Sequence, residues 1–190
     1  MENHTLNFYL DCFANLRCDK SKFGVAPHKP VLLIAIIRLF QYGKLNNSQI
    51  AITPDLKHEF EQAWYEFVKT PHRMNLGLPF YHMRNERFGW QLSVSERYRF
   101  DLDDKNKMKN LNTLKAANAV ATLETELVDL CKEQKYSQIL HDFLISRYFN
   151  QEPPQYDSDG SQAYIAAKDI LKFGMMWMLP EWNFAVAQAA

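Results

Sequence analysis

The stretch Val25-Ala26-Pro27-His28-Lys29-Pro30-Val31-Leu32-Leu33 decides the fold, because it marks where a polar loop becomes an apolar helix. Pro30 suits the first turn of a helix, where a backbone N–H has no acceptor within the helix. From Lys29 to Gln41 the chain is apolar on nearly every side, which is typical of a helix buried in a core. We therefore predict a central core helix over residues 29–41.

Apolar residues at helical spacing predict more helices around this one, over 6–16, 113–132 and 137–149. Thr53 as an N-cap, with Pro54 after it, begins another helix, and residues 50–53 are expected to form a short strand. The apolar stripe of that helix comprises Leu56, Phe60, Trp64 and Phe67.

Residues 80–83 and 90–94, separated by a turn at 85–89, predict a β-hairpin. The predicted fold class is therefore mainly α (α+β): a helical bundle with a small β-hairpin, in a winged-helix-like arrangement. Arg84 and Arg87 would lie near the tip of the wing.

The predicted domain occupies residues 1–150. Residues 151–162 contain Pro153-Pro154 and Asp157-Ser158-Asp159-Gly160, which are typical of a linker. Residues 163–190 are expected to form a C-terminal helical and aromatic appendage. Its Met175-Met176-Trp177-Met178 run would pack on its own domain or contact a partner.

The formal net charge is zero, with 22 basic and 22 acidic residues, but the charges are unevenly distributed. Residues 17–44 hold six basic residues against one acidic, whereas residues 124–190 hold ten acidic against five basic. This asymmetry favours one basic face, although scattered solvated charges would also fit it. The candidate contacts to a DNA backbone or bases are Arg17, Lys20, Lys22, Arg84, Arg87, Lys105, Lys107 and Lys109.

Catalytic and metal-binding patterns are lacking in the sequence. The three cysteines form no CxxC pair and no His or Cys cluster accompanies them, so no zinc site is expected. No Gly-rich phosphate loop or carboxylate cluster is found either, so no other metal or cofactor is expected. Asp129, Glu133 and Lys135 resemble a nuclease pattern only loosely, and a solvated helix face explains them better. We therefore expect no catalytic site in this chain. With no secretion signal and no membrane-spanning run, we expect a cytoplasmic protein.

His28 and Lys29 stand at the start of the predicted core helix, where free N–H groups and a partial positive charge favour an anion. The residues alone also fit a simpler interpretation, in which two prolines and a histidine merely shape the helix start.

Three motifs resemble the sulfur-binding domain, a phosphorothioated-DNA-binding domain, of McrA-like type IV, HNH-type restriction endonucleases. The first is Ala26-Pro27-His28-Lys29-Pro30 before an apolar helix. The second is Leu78-Pro79-Phe80-Tyr81-His82-Met83 with Gly89-Trp90-Gln91-Leu92. The third is the helix from Tyr136 that ends in Arg147-Tyr148-Phe149. Together they cover about residues 6–150.

The resemblance implies a mainly helical domain that binds phosphorothioated double-stranded DNA through an apolar sulfur pocket beside basic residues. Leu78 and His82 depart from the family's usual residues, so they bear on pocket shape and sequence preference. The residues implied to bind sulfur or phosphate are Pro27, His28, Lys29, Leu78, Pro79 and His82.

In that family a separate HNH nuclease domain usually follows, and none is visible here; a nuclease domain or subunit and a homodimer stay open as partners. Two other functions compete with sulfur reading. One is a winged-helix transcription regulator of unmodified DNA, and the other is a protein-interaction domain.

Overall fold

A computed structural model describes residues 2–149, and its mainly helical fold with small antiparallel sheets confirms the predicted mainly α (α+β) class. The predicted linker, 151–162, and the appendage, 163–190, lie outside the described residues. The helices are α1 (Glu2–Ala14), α2 (His28–Gln41), α3 (Pro54–Phe67), α4 (Gly77–His82), α5 (Lys105–Met108), α6 (Leu111–Ala116), α7 (Thr125–Lys132) and α8 (Gln134–Phe149).

Helix α2 is the centre of the core, as predicted. It packs against α3, α4, α7 and α8, and Val31, Leu32 and Ile34 have no exposed surface. Because apolar side chains cover almost its whole circumference, the helix is stable only when other helices surround it. Packing along its length therefore fixes the position of its start.

Helix α3 also follows its sequence pattern. Thr53 caps it by accepting a hydrogen bond from the Leu56 N–H at 3.1 Å, and Pro54 is its first residue. Its predicted stripe is buried throughout: Leu56, Phe60, Trp64 and Phe67.

The strands are short: β1 (Lys20–Ser21), β2 (Gly24–Val25), β3 (Gln49–Ala51), β4 (Gln91–Ser93) and β5 (Val120–Thr122). Strands β1 and β2 form an antiparallel hairpin, with Lys20 opposite Val25. The others form a three-stranded antiparallel sheet in the order β3-β5-β4, in which Ala121 lies opposite both Ile50 and Leu92.

The predicted hairpin of residues 80–83 and 90–94 is wrong. Residues 77–82 are helix α4, a 3-10 turn follows at Met83–Asn85, and β4 pairs with β5 instead. A short apolar run fits a buried strand or a buried helix equally well by its pattern alone. No wing is formed there, so Arg84 and Arg87 do not lie at a wing tip.

The single helix expected over 113–132 is also wrong. Helix α6 ends at Ala116, and Asn118 takes up a left-handed conformation with φ of +48°. Asparagine tolerates this conformation better than most residues, so it ends the helix and lets β5 begin. Within residues 2–149, no helix is both long enough and apolar enough to cross a bilayer.

Candidate nucleic-acid interface

His28 is the first residue of α2 and is half-buried. Its Nε2 lies 2.8 Å from the Arg73 carbonyl oxygen, and its ring packs on Trp64 with centroids 4.9 Å apart. Because a carbonyl only accepts, Nε2 carries the hydrogen. Burial lowers the pKa of His28, with a smaller contribution in the same direction from His72. His28 is thus a neutral, well-fixed side chain at ordinary pH.

Lys29 is buried, which differs from the expected open phosphate donor. Its ammonium forms an ion pair with Glu86 and donates to the Arg17 carbonyl at 2.7 Å. The same Glu86 carboxylate accepts from the Arg17 backbone N–H at 3.2 Å. Lys29 is therefore neutralised, and it fastens the loop after α1 to the segment after α4.

The β1–β2 hairpin lies in the polar segment that precedes α2. Residues 19–25 are all exposed. Ser21 Oγ lies 3.2 Å from His72 Nε2, and the Phe23 ring meets the His72 ring edge-on at 5.9 Å. His72 in turn contacts the ring of His28 at 6.3 Å. The hairpin is thereby held beside the start of α2.

Helix α4 supplies the apolar part of the candidate site. Leu78 and His82 are half-buried, whereas Pro79 and Pro27 are buried. The resemblance implies that Pro79 binds sulfur, yet in this structure Pro79 is buried. The half-open surface of α4 comes from Leu78 and His82 instead.

Gly77 brings the 109–111 segment against the start of α4. A Cβ on Gly77 would lie 2.6 Å from the Lys109 carbonyl oxygen and 2.8 Å from the Leu111 nitrogen. Only a residue without a side chain permits this approach. The backbone of exposed Lys109 thus lies against the first residue of α4.

His82 lies in a positive environment. Burial lowers its pKa, and the charges of Lys29, Arg84 and Lys109 lower it further, while Asp19 raises it. Asp19 also raises the pKa of His28, so this carboxylate acts on both histidines. Exposed Lys109 would favour a bound anion at this surface.

The predicted DNA-contacting cations divide into two groups. Arg84 packs on Tyr81 and donates to the Leu102 carbonyl at 3.0 Å, Arg87 pairs with Asp11, and Lys107 pairs with Asp101 at 2.7 Å. Among the described residues, no carboxylate pairs with the exposed cations of the second group, which are Arg17, Lys20, Lys22 and Lys109. The side chain of Lys105 is not described.

Comparison with known proteins identifies the family. The family model of the ScoMcrA-like DNA sulfur-binding domain matches residues 8–156, which is well over half of the chain. The chain belongs to this family. No curated protein matches the chain. Membership of the DNA sulfur-binding domain family supports the predicted ligand class, sulfur-modified DNA in a restriction system.

Sequence reasoning missed four residues of the sulfur-binding domain that lie at or behind this surface: His72, Arg73, Gly77 and Glu86. Glycine before a Leu-Pro pair was a usable signal, because a glycine at a helix start often permits a close approach. The pairing of Glu86 with Lys29, 57 residues apart, had no local signal.

Among residues 2–149 of the sulfur-binding domain, no cluster of three or more His, Cys, Asp or Glu side chains could hold a metal ion. Cys12 and Cys131 are buried thiols, and burial raises the pKa of Cys131 to about 12. Burial likewise raises the pKa of Cys18 to about 11.

Proposed function

We propose that this domain binds a single sulfur-substituted phosphate of duplex DNA on the α4 surface, which we define as Leu78, His82 and Lys109. The observation that carries the proposal is geometric: Leu78 and His82 are half-buried on α4, and the backbone of exposed Lys109 packs against Gly77 at the start of that helix. The domain would act as the specificity module of a modification-dependent restriction system, with cleavage supplied by a nuclease domain or subunit.

The α4 surface combines the two properties that a phosphorothioate requires. A phosphorothioate carries the same charge as a phosphate, so cations still attract it. Its sulfur is larger and less strongly hydrated than oxygen, so apolar contact with Leu78 costs less hydration than the same contact with oxygen. Lys109 would hold the negative charge while Leu78 contacts the sulfur.

The prolines support this surface from within the domain. Pro79 is buried directly after Leu78, and Pro27 is buried directly before His28. A proline ring restricts the backbone, which keeps Leu78 and His28 in place before DNA arrives. The two prolines would therefore preorganise the site. Because both are buried, at most the edge of a proline ring would contact the sulfur.

The expected sulfur preference follows from area. Burying about 40 Å² of apolar surface contributes roughly 1 kcal/mol. Leaving an oxygen acceptor desolvated adds a penalty of about 1–3 kcal/mol. Together these favour a thio duplex over its oxo counterpart on the order of 100-fold. Contacts from exposed side chains to nearby bases would make this preference depend on sequence context.

The test compares binding to a duplex with one phosphorothioate and to the same duplex without sulfur, in several sequence contexts. The two phosphorus diastereomers are measured separately, because an asymmetric surface meets only one of the two non-bridging atoms. We expect tighter binding to one diastereomer. Equal affinities for thio and oxo duplexes in every context would reject the proposal.

A matched pair of variants locates the preference. Leu78→Ala should reduce the thio-to-oxo affinity ratio about fivefold or more, because it removes roughly 1 kcal/mol of apolar contact. Leu45→Ala is the control, since Leu45 is also half-buried but follows the opposite end of α2. A ratio that falls equally in both variants would place the sulfur contact elsewhere.

A further inference from the structure

The β1–β2 hairpin has no role in sulfur binding as proposed above, yet its features are unusual for a structural loop. All of residues 19–25 are exposed, and two of them are large apolar residues: Phe23 is 41% exposed and Val25 is 47% exposed. Exposed apolar side chains at the end of a projecting element commonly mark a contact with another molecule.

The charges of the hairpin indicate which molecule that is. Lys20 and Lys22 lie on it and Arg73 lies in the loop beside it; within the described part of the chain, none of them pairs with a carboxylate. Lys22 Nζ lies 5.1 Å from the centre of the Phe23 ring. Cations around an apolar side chain fit duplex DNA, whose phosphates are negatively charged and whose major groove presents the apolar methyl group of thymine.

The width of the hairpin agrees with binding to the major groove of DNA. Two strands lie about 4.8 Å apart, and the major groove of B-DNA is about 12 Å wide, so it admits a two-stranded ribbon. The connection between β1 and β2 is the two residues Lys22 and Phe23, and Gly24 has a φ of +96° that lets the chain reverse so tightly. The tip is therefore narrow enough to enter.

The hairpin is also anchored where it would need to be. The Ala26 N–H donates to the Asp19 carbonyl at 2.8 Å, and Ser21 Oγ lies 3.2 Å from His72 Nε2. These contacts place its base beside His28, at the same end of α2 as the α4 surface. A phosphate bound there would bring the adjoining groove to the hairpin.

We propose that the β1–β2 hairpin enters the major groove beside the modified phosphate and that Phe23 reads a neighbouring base by apolar contact. The contact would be with the C5 edge of a pyrimidine, and it is strongest with thymine, whose C5 carries a methyl group. Lys20 and Lys22 would contact flanking phosphates. This inference rests on the proposed function for the position of the hairpin on DNA.

The experiment measures binding to duplexes with one phosphorothioate at a fixed position and with the three base pairs on each side varied. The wild type should prefer thymine at one position about fivefold over a purine. Phe23→Ala should lose the preference at that position alone, while the thio-to-oxo ratio stays unchanged. Replacing that thymine by deoxyuridine, which lacks the methyl group, should weaken wild-type binding and leave Phe23→Ala unaffected.

Two further variants separate reading from folding. Phe23→Leu keeps an apolar side chain and should retain part of the preference. Tyr42→Ala removes an exposed aromatic residue, 59% exposed, at the far end of α2, about 20 Å from His28, and should change nothing. The unfolding temperatures of all variants should match, because these side chains are exposed.

The inference is overturned if the wild type shows no base preference, or if Phe23→Ala keeps the wild-type preference at every position. Its failure is distinct from that of the proposed function. If the wild type bound thio and oxo duplexes equally, sulfur reading would be rejected. The dependence of affinity on the neighbouring bases, measured on oxo duplexes as well, would still test the role of the hairpin.

Discussion

Lys29 and Glu86 form an ion pair whose side chains are only 10% and 3% exposed, directly behind the residues that face DNA in our proposal. Glu86 also accepts a hydrogen bond from the Arg17 backbone N–H, and Lys29 donates to the Arg17 carbonyl. Three segments distant in sequence thus meet at one pair of charges. The pair determines where the Arg17 loop begins, and the hairpin follows that loop.

The first prediction concerns Glu86. Glu86→Ala leaves the Lys29 ammonium buried without a counter-charge, so we expect the free energy of unfolding to fall by about 3 kcal/mol. The double variant Glu86→Ala with Lys29→Met removes both charges and should recover most of that loss. Urea denaturation of the single and double variants measures both effects.

An exposed pair provides the comparison for Glu86. Lys57 and Glu61 pair at 3.5 Å with side chains 50% and 34% exposed, so Lys57→Ala should change stability by less than about 1 kcal/mol. If Glu86→Ala proved no more damaging than Lys57→Ala, the buried pair would not be what holds the three segments together.

The parts of the fold that the sequence predicted correctly are those governed by local rules. Helix α2 has an apolar surface on every side, and α3 has its cap, its proline and its stripe within 15 residues. Helix α4 was mistaken for a strand because six residues, Gly77–His82, are too few to show a period. Strand β5 was missed because it pairs with β3 and β4, both distant in sequence.

The sequence suggested candidate residues for the site, but it did not show how they are arranged. The charge pattern named the basic residues, but it could not show that Lys107 already pairs with Asp101 or that Arg84 packs on Tyr81. The resemblance named Lys29 and Pro79, but exposure depends on tertiary packing, and both residues are buried. Which cations remain open is decided by partners that no local pattern reveals.

The second prediction concerns Gly77. Alanine is normally the better helix residue, but here its Cβ would press on the Lys109 carbonyl and the Leu111 nitrogen, both of which are backbone atoms. We expect Gly77→Ala to lower the free energy of unfolding by about 1–3 kcal/mol and to weaken DNA binding, because Lys109 is displaced from α4. Thermal unfolding and DNA titration measure the two effects.

Gly43→Ala controls for the loss of stability alone. Gly43 has a φ of +68° with open space around it, so alanine there costs about 1–2 kcal/mol through backbone strain. DNA affinity of the folded protein should be unchanged in Gly43→Ala. Equal DNA affinity of Gly77→Ala and Gly43→Ala would mean that the contact between α4 and Lys109 does not shape the interface.

The third prediction concerns pH. Burial lowers the pKa of His28 in the folded state, so below its ordinary value of about 6.5 the unfolded chain takes up a proton that the folded chain does not. As far as His28 is concerned, the free energy of unfolding is therefore at its full value above about pH 6.5. It declines as the pH falls toward the folded-state pKa of His28. His82 has a lowered pKa too and acts in the same direction.

Urea denaturation between about pH 7.5 and 5.5, where histidine titrates, tests the predicted loss of stability at low pH. His28→Gln removes the titration while keeping an N–H donor for the Arg73 carbonyl, so its stability should fall less steeply with decreasing pH than that of the wild type. His58→Gln, at an exposed position of α3, is the control. Parallel pH profiles for all three proteins would contradict the prediction.

The last prediction separates two lysines that the sequence treats alike. Lys109 is exposed and pairs with no carboxylate among residues 2–149, whereas Lys107 lies 2.7 Å from Asp101. A cation that neutralises a DNA phosphate releases about 0.9 counterion, so losing it reduces the slope of log affinity against log salt by about 0.9. We expect this reduction, and affinity about five- to tenfold lower near 0.1 M salt, for Lys109→Ala.

Lys107→Ala should change the salt slope far less, because Asp101 already neutralises that charge in the free domain. Both variants remove an exposed lysine from neighbouring positions, so they should unfold at nearly the same temperature as the wild type. Titrations at several salt concentrations, with thio and oxo duplexes, give both slopes. The Lys109→Ala effect should be the same on either duplex, since a contact to charge does not distinguish sulfur from oxygen; an effect confined to the thio duplex would instead make Lys109 part of the sulfur contact.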